Sequence, residues 1–140
     1  MERRRFLAAI GAASVLAAGC ASLQEKQKQQ VVLQISDDNA KTWQTAFNVV
    51  NNLTNTYGKG NVDIELVAFG DAIHALTFDS KAASRIPGAV GQGAKVIACE
   101  NSMTRFKLSR GDMAPDLLYV RAGVQRIIER QREGWTVIRP

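Results

Sequence analysis

Five short apolar runs, each separated from the next by a segment long enough to hold a helix, constrain this chain more than any other feature. They are Val31–Ile35, Val62–Phe69, Lys95–Cys99, Leu117–Val120 and Trp135–Ile138. Antiparallel neighbours are joined by tight hairpins, whereas parallel neighbours need a crossover of a dozen or more residues. No hairpin spacing occurs between these runs, so the chain reads as α/β: a three-layer α/β/α domain on a mostly parallel five-stranded sheet. The intervening segments carry helix signals. Ser36-Asp37-Asp38-Asn39 offers N-cap chemistry, and Trp43, Phe47, Val50, Thr54 and Tyr57 then recur as one helical stripe, closed by Gly58 and Gly60. Ala72–Leu76 is a short turn or helix, and Asp79-Ser80 caps a further one through Ile86 that Pro87, Gly88, Gly91 and Gly93 weaken. Met103–Leu108 is a short helix or turn, and Gly111–Pro115 is loop. A last helix starts near Gly123 and stops at Gly134, with Val124, Ile127, Ile128 and Gln131 on one side.

The N-terminus stands apart from this pattern. Met1-Glu2-Arg3-Arg4-Arg5 is followed by Phe6–Gly19 without a charge and then by Cys20. The uncharged run is shorter than the ~20 apolar residues that span a bilayer, so residues 1–20 read as an export signal. Arg3-Arg4-Arg5-Phe6-Leu7 resembles a twin-arginine signal, with Glu2 where Ser or Thr is usual. Leu16-Ala17-Ala18-Gly19-Cys20 resembles a lipobox, in which Cys20 is acylated and becomes the mature N-terminus. A plain signal cut nearby is the competing reading. Residues 21–30, rich in Gln and Lys, read as a polar tether, leaving 31–140 as the domain. The expected product is exported to the periplasm and held to the membrane by a lipid anchor.

Charge excludes one class of partner. The chain carries +5, of which the three Arg and one Glu of residues 1–19 contribute +2, leaving +3 on the exported part. That is mildly basic and without a dense cluster, so nucleic acid is not expected. Arg121, Arg126, Arg130 and Arg132 alternate with Glu129 and Glu133 and read as a solvated helix face.

With Cys20 acylated, Cys99 is the one thiol left in an oxidising compartment. It ends an apolar run and precedes a segment that can be helical, where open α/β sheets place their ligands and where a helix dipole lowers a thiol's pKa. Two readings compete: a nucleophile, or a small buried hydrophobe. His74, the single histidine, follows the second strand and is either a partner for Cys99 or a loop residue. Arg105, about one helical turn beyond Cys99, adds positive potential, and Glu100 opposes it if it faces the sulfur. Asp37, Asp38, Asn101 and Ser102 are candidate ligand contacts, with helix capping as the competing explanation. One His and one Cys fall short of a metal site. Gly88, Gly91 and Gly93 do not form a dinucleotide fingerprint, and no cofactor is expected.

One order of residues carries a family resemblance. Ser36-Asp37-Asp38 precedes the Trp43 helix; one strand ends Ala68-Phe69-Gly70-Asp71, and another ends Ala98-Cys99-Glu100-Asn101-Ser102-Met103. Ala122-Gly123-Val124 opens the last helix, and Gln131-Arg132-Glu133-Gly134-Trp135 leads to Val137-Ile138-Arg139-Pro140. Over about residues 31–140 this resembles the DsrE/DsrF-like family. The resemblance implies a small flavodoxin/Rossmann-like α/β domain that assembles as a homo-oligomer, trimer or hexamer. It also implies a sulfur carrier or sulfurtransferase that takes sulfane sulfur as a persulfide on Cys99 from a donor protein and passes it to an acceptor. The alternative is a non-catalytic oligomeric module that binds a ligand or partner and in which Cys99 only packs; a redox sensor forming intermolecular disulfides is a third reading.

Overall fold

The computed structural model describes residues 27–140. Its strands are β1 (Gln29–Ile35), β2 (Val62–Ala68), β3 (Lys95–Cys99), β4 (Leu118–Val120) and β5 (Thr136–Ile138). They form one sheet in the order β4-β3-β2-β1-β5, and every pairing is parallel. The expected α/β architecture is therefore present. The export signal, with Cys20, lies outside the described residues. β1 begins inside the stretch read as tether, because Gln29 and Gln30 pair with Val62 and Asp63 of β2. Among the described residues no helix is long and apolar enough to cross a membrane.

Among the described residues four α-helices cover the sheet: α1 (Ala40–Tyr57), α2 (Ile86–Gly91), α3 (Glu100–Arg105) and α4 (Gly123–Arg132). Alternation along parallel strands sends successive side chains to opposite faces. Val31, Leu33 and Ile35 of β1, with Val62, Ile64, Leu66 and Ala68 of β2, build the larger core against Trp43, Ala46, Phe47 and Val50 of α1. Two 3-10 helices, Gly70–Leu76 and Ala82–Arg85, complete that layer together with α2 and Met103 of α3. The α1 stripe is buried through Val50 and half-buried at Thr54, while Tyr57 at its end is exposed. The weakened segment after Pro87 stays helical to Gly91, with the proline in the first turn, where its missing N–H costs nothing. The helix after β3 begins at Glu100, earlier than Met103, because Cys99 itself takes the extended N-cap conformation.

The opposite face carries a small cluster: Val32, Val67, Ile97, Ile127 and Trp135. Among the described residues α4 is the helix that packs there, against β1, β2, β3 and β5. Here two expectations fail. The side holding Val124, Ile127, Ile128 and Gln131 suggests an apolar stripe, yet of its apolar residues only Ile127 is buried, while Val124 is 51% and Ile128 44% exposed. The Arg126–Arg130 side was read as solvated, yet both guanidiniums turn onto the sheet. The cause is Glu65 of β2, 0% exposed. Arg126 binds it through Nε at 2.9 Å and NH2 at 2.7 Å, and Arg130 through Nε at 3.1 Å and NH2 at 2.7 Å. A buried carboxylate must be paired, so the face of α4 that meets the sheet is Gly123, Arg126, Ile127 and Arg130. Arg130 also stacks over Trp135 at 4.4 Å. Burial alone raises the Glu65 carboxyl's pKa, but hydrogen bonds and charge from both arginines outweigh it and hold it below the usual value.

Candidate functional site

Cys99 closes β3 on the α4 side of the sheet, opposite Val120 in register. Two helices begin beside it: α3 at the next residue, and α4 at Gly123. The Gly123 N–H donates to Sγ at 3.3 Å, and Sγ lies 3.8 Å from the Arg121 carbonyl oxygen. The Asn101 N–H is tied to the Arg121 carbonyl at 3.0 Å, which joins the start of α3 to the turn before α4. Cys99 is 4% exposed, so this turn and α4 seal the thiol. Burial pushes the thiol's pKa up. The Ser102 hydroxyl and the backbone N–H groups of Gly123, Ser102 and Asn101 more than offset that, and the net effect is a pKa below the usual thiol value.

Two glycines make the arrangement possible. A Cβ on Gly123 would lie 3.0 Å from Phe69 Cβ, 3.3 Å from Cys99 Cβ and 3.3 Å from Val67 Cγ1, so only glycine lets α4 approach this closely. Gly70, at φ +58°, takes a left-handed conformation that suits glycine and donates its N–H to Ser102 Oγ at 2.8 Å. The sequence pattern Ala122-Gly123-Val124 contained the first of these contacts, but nothing local marked Gly123 as a thiol ligand.

The other sequence candidates fall into separate places. Asn101 and Ser102 stand at Cys99. Arg105 is exposed and stacks on the Phe106 ring at 5.4 Å. Glu100 turns away to Arg110 at 3.4 Å, and Arg110 lies over the Tyr119 ring at 4.2 Å. His74 is exposed and meets Phe106 edge-on at 4.3 Å. It belongs to the α1 side of the sheet, where it borders a cavity of about 520 Å³ that Asp38 also lines. The structure thus brings His74 together with Asp38, while the groups bonded to Cys99 come from α3 and α4. Asp37 is engaged locally: its Oδ1 accepts the Asn39 N–H at 3.0 Å, and its carbonyl accepts the Trp43 indole N–H at 3.2 Å. Asn39 caps α1 by accepting the Lys41 N–H at 2.9 Å. Among the described residues no three His, Cys, Asp or Glu side chains converge as metal ligands.

Comparison with known proteins gives the family and the fold. The profile of the DsrE/DsrF-like family matches residues 28–140. Among solved structures, a protein of unknown function from Methanobacterium thermoautotrophicum is 30% identical, with a TM-score of 0.75 over 80% of this chain and 99% of that one. The ychN protein from E. coli is 13% identical, with a TM-score of 0.64 over 81% and 99%. A conserved protein of unknown function from Bacteroides thetaiotaomicron is 15% identical, with a TM-score of 0.60 over 80% and 95%. The latter two share the fold alone. No curated protein matches.

Proposed function

The chain belongs to the DsrE/DsrF-like family, and from that membership we propose that it accepts and relays sulfane sulfur through Cys99. The supporting observation is the Gly123 N–H donating to Sγ at 3.3 Å; with Ser102 and Asn101 beside it, the pKa of the buried thiol is held below the usual value. The Cys99 thiolate attacks the terminal sulfur of a donor persulfide. The donor's S–S bond breaks, its inner sulfur leaves as a thiolate, and Cys99 holds the new S–S bond with no net oxidation. Attack on a partner needs Sγ uncovered, so the Arg121–Gly123 turn has to lift from it. Gly123 then restores its hydrogen bond once the sulfur has moved on.

In this reading residues 1–20 direct export, Cys20 is acylated and anchors the protein to the membrane from the periplasmic side, and the domain works as a homo-oligomer, trimer or hexamer, between donor and acceptor proteins. The second reading, a binding module in which Cys99 only packs, is favoured by one observation, the 4% exposure of that residue. Mass spectrometry after incubation with a sulfane donor separates the two. Relay predicts a gain of about 32 Da on Cys99, one sulfur atom, removed by a thiol acceptor and absent in Cys99→Ser. An unmodified Cys99 under conditions that modify a small-molecule thiol leaves the packing reading.

A further inference from the structure

We propose that the cavity between α1 and the two 3-10 helices is a second site, which binds a small molecule with a flat apolar body and an anionic head. Its volume, about 520 Å³, lies within the roughly 300–1,000 Å³ of small-molecule sites. Its position is the C-terminal edge of a parallel sheet, where such folds bind ligands: Asp38 follows β1 and His74 follows β2. The cavity's interior is apolar, from buried Trp43, Phe47 and Ala75. Its rim is cationic, from Lys81 and Arg85.

Charge decides the ligand's head. The Arg85 guanidinium lies 5.0 Å from the Phe47 ring centroid and donates to Asn48 Oδ1 at 3.3 Å. Among the described residues neither Arg85 nor Lys81 has a carboxylate within ion-pair distance. Two cations beside an apolar hollow, with Asp38 as the one acid on its wall, select a single negative charge over a neutral or positive group. Asp38 and the Gln44 amide remain for a hydrogen-bond donor on the ligand's body. Cys99 lies on the other face of the sheet and does not line this cavity.

The probe is naphthalene-2-sulfonate, titrated calorimetrically into the full chain alongside neutral 2-naphthol. The sulfonate should bind, and the double variant Lys81→Gln/Arg85→Gln should weaken it about tenfold or more while changing 2-naphthol binding less than about twofold. Gln44→Phe, which blocks the mouth from an exposed helix position, should abolish both; its circular dichroism and melting temperature report whether it folds. If that variant unfolds, competition between the two probes on the parent chain replaces it, with mutual displacement expected. Absence of sulfonate binding at millimolar concentration overturns the proposal, and so does binding that ignores the charge variant or two probes that do not compete.

Discussion

The two faces of the sheet are built from different materials. On the α1 side, a broad apolar layer joins β1, β2 and β3 to α-helices and 3-10 helices, and its fit is a matter of volume and shape. On the α4 side, five buried residues form a thin cluster, and the helix is held largely by two guanidiniums gripping one carboxylate. An apolar layer resists local opening because any gap exposes many atoms at once. An ion clamp is directional: it fixes the rotation of α4 firmly, yet its arginines keep a partly exposed path to water. Cys99 sits on the clamped side. The sealed thiol thus lies on the face with the thinner apolar cover, beneath a helix held by the ion clamp.

The largest effect tests the apolar face. Leu66→Ala, at a fully buried β2 position, should cost about 3–5 kcal/mol in urea unfolding, while the pH midpoint of Cys99 alkylation in folded protein stays where it was. A shifted midpoint would show that the two faces open together and end the distinction. Next comes the clamp. Glu65→Gln should cost about 3 kcal/mol, the low end for breaking a buried pair, since both arginines can rehydrate. It should also speed Cys99 alkylation beyond what its global stability change explains. Because the folded Glu65 carboxyl lies below its ordinary 4.5, the unfolded chain binds the extra proton as acid is added. The stability it contributes is full above about that value and is lost as pH falls through the lower folded one. Melting temperatures of the parent and Glu65→Gln should converge as the carboxylate protonates. The smallest effect is Gly123→Ala, about 1–3 kcal/mol from overpacking against Phe69, Cys99 and Val67. It should move the Cys99 alkylation midpoint upward, because the N–H that favours thiolate is pushed away.

The sequence made the fold legible through the spacing of its apolar runs, and it located Cys99 at the end of β3 with the right residues beside it. It misled at α4 for a physical reason. Val62-Asp63-Ile64-Glu65-Leu66 alternates as a half-solvated strand would, and Glu65 meets its partners 61 and 65 positions away, beyond any local pattern. Arginines at i and i+4 then look like surface charge, and Val124 with Ile128 looks like a core stripe. The signal was present jointly. An acid inside a strand that both neighbours cover needs a cation, and Gly123, Arg126, Ile127 and Arg130 share one helical face. His74 and Cys99 look alike in the sequence because both stand near strand ends; Cys99 ends β3 with its side chain on the α4 face, whereas His74 is carried by a 3-10 helix packed on the α1 face.

The bond between Gly70 and Ser102 carries a consequence across that divide. Ser102 Oγ accepts the Gly70 N–H, and the same hydroxyl is among the groups that lower the pKa of Cys99. Successive donors in such a chain polarise one another. A thiolate at Cys99 therefore strengthens Ser102 Oγ as an acceptor and pushes electron density toward the N–H of Gly70, which opens the 3-10 helix bearing His74 and Ala75. The charge state of a sulfur on one side of the sheet is thereby written into the dipole of a peptide on the other.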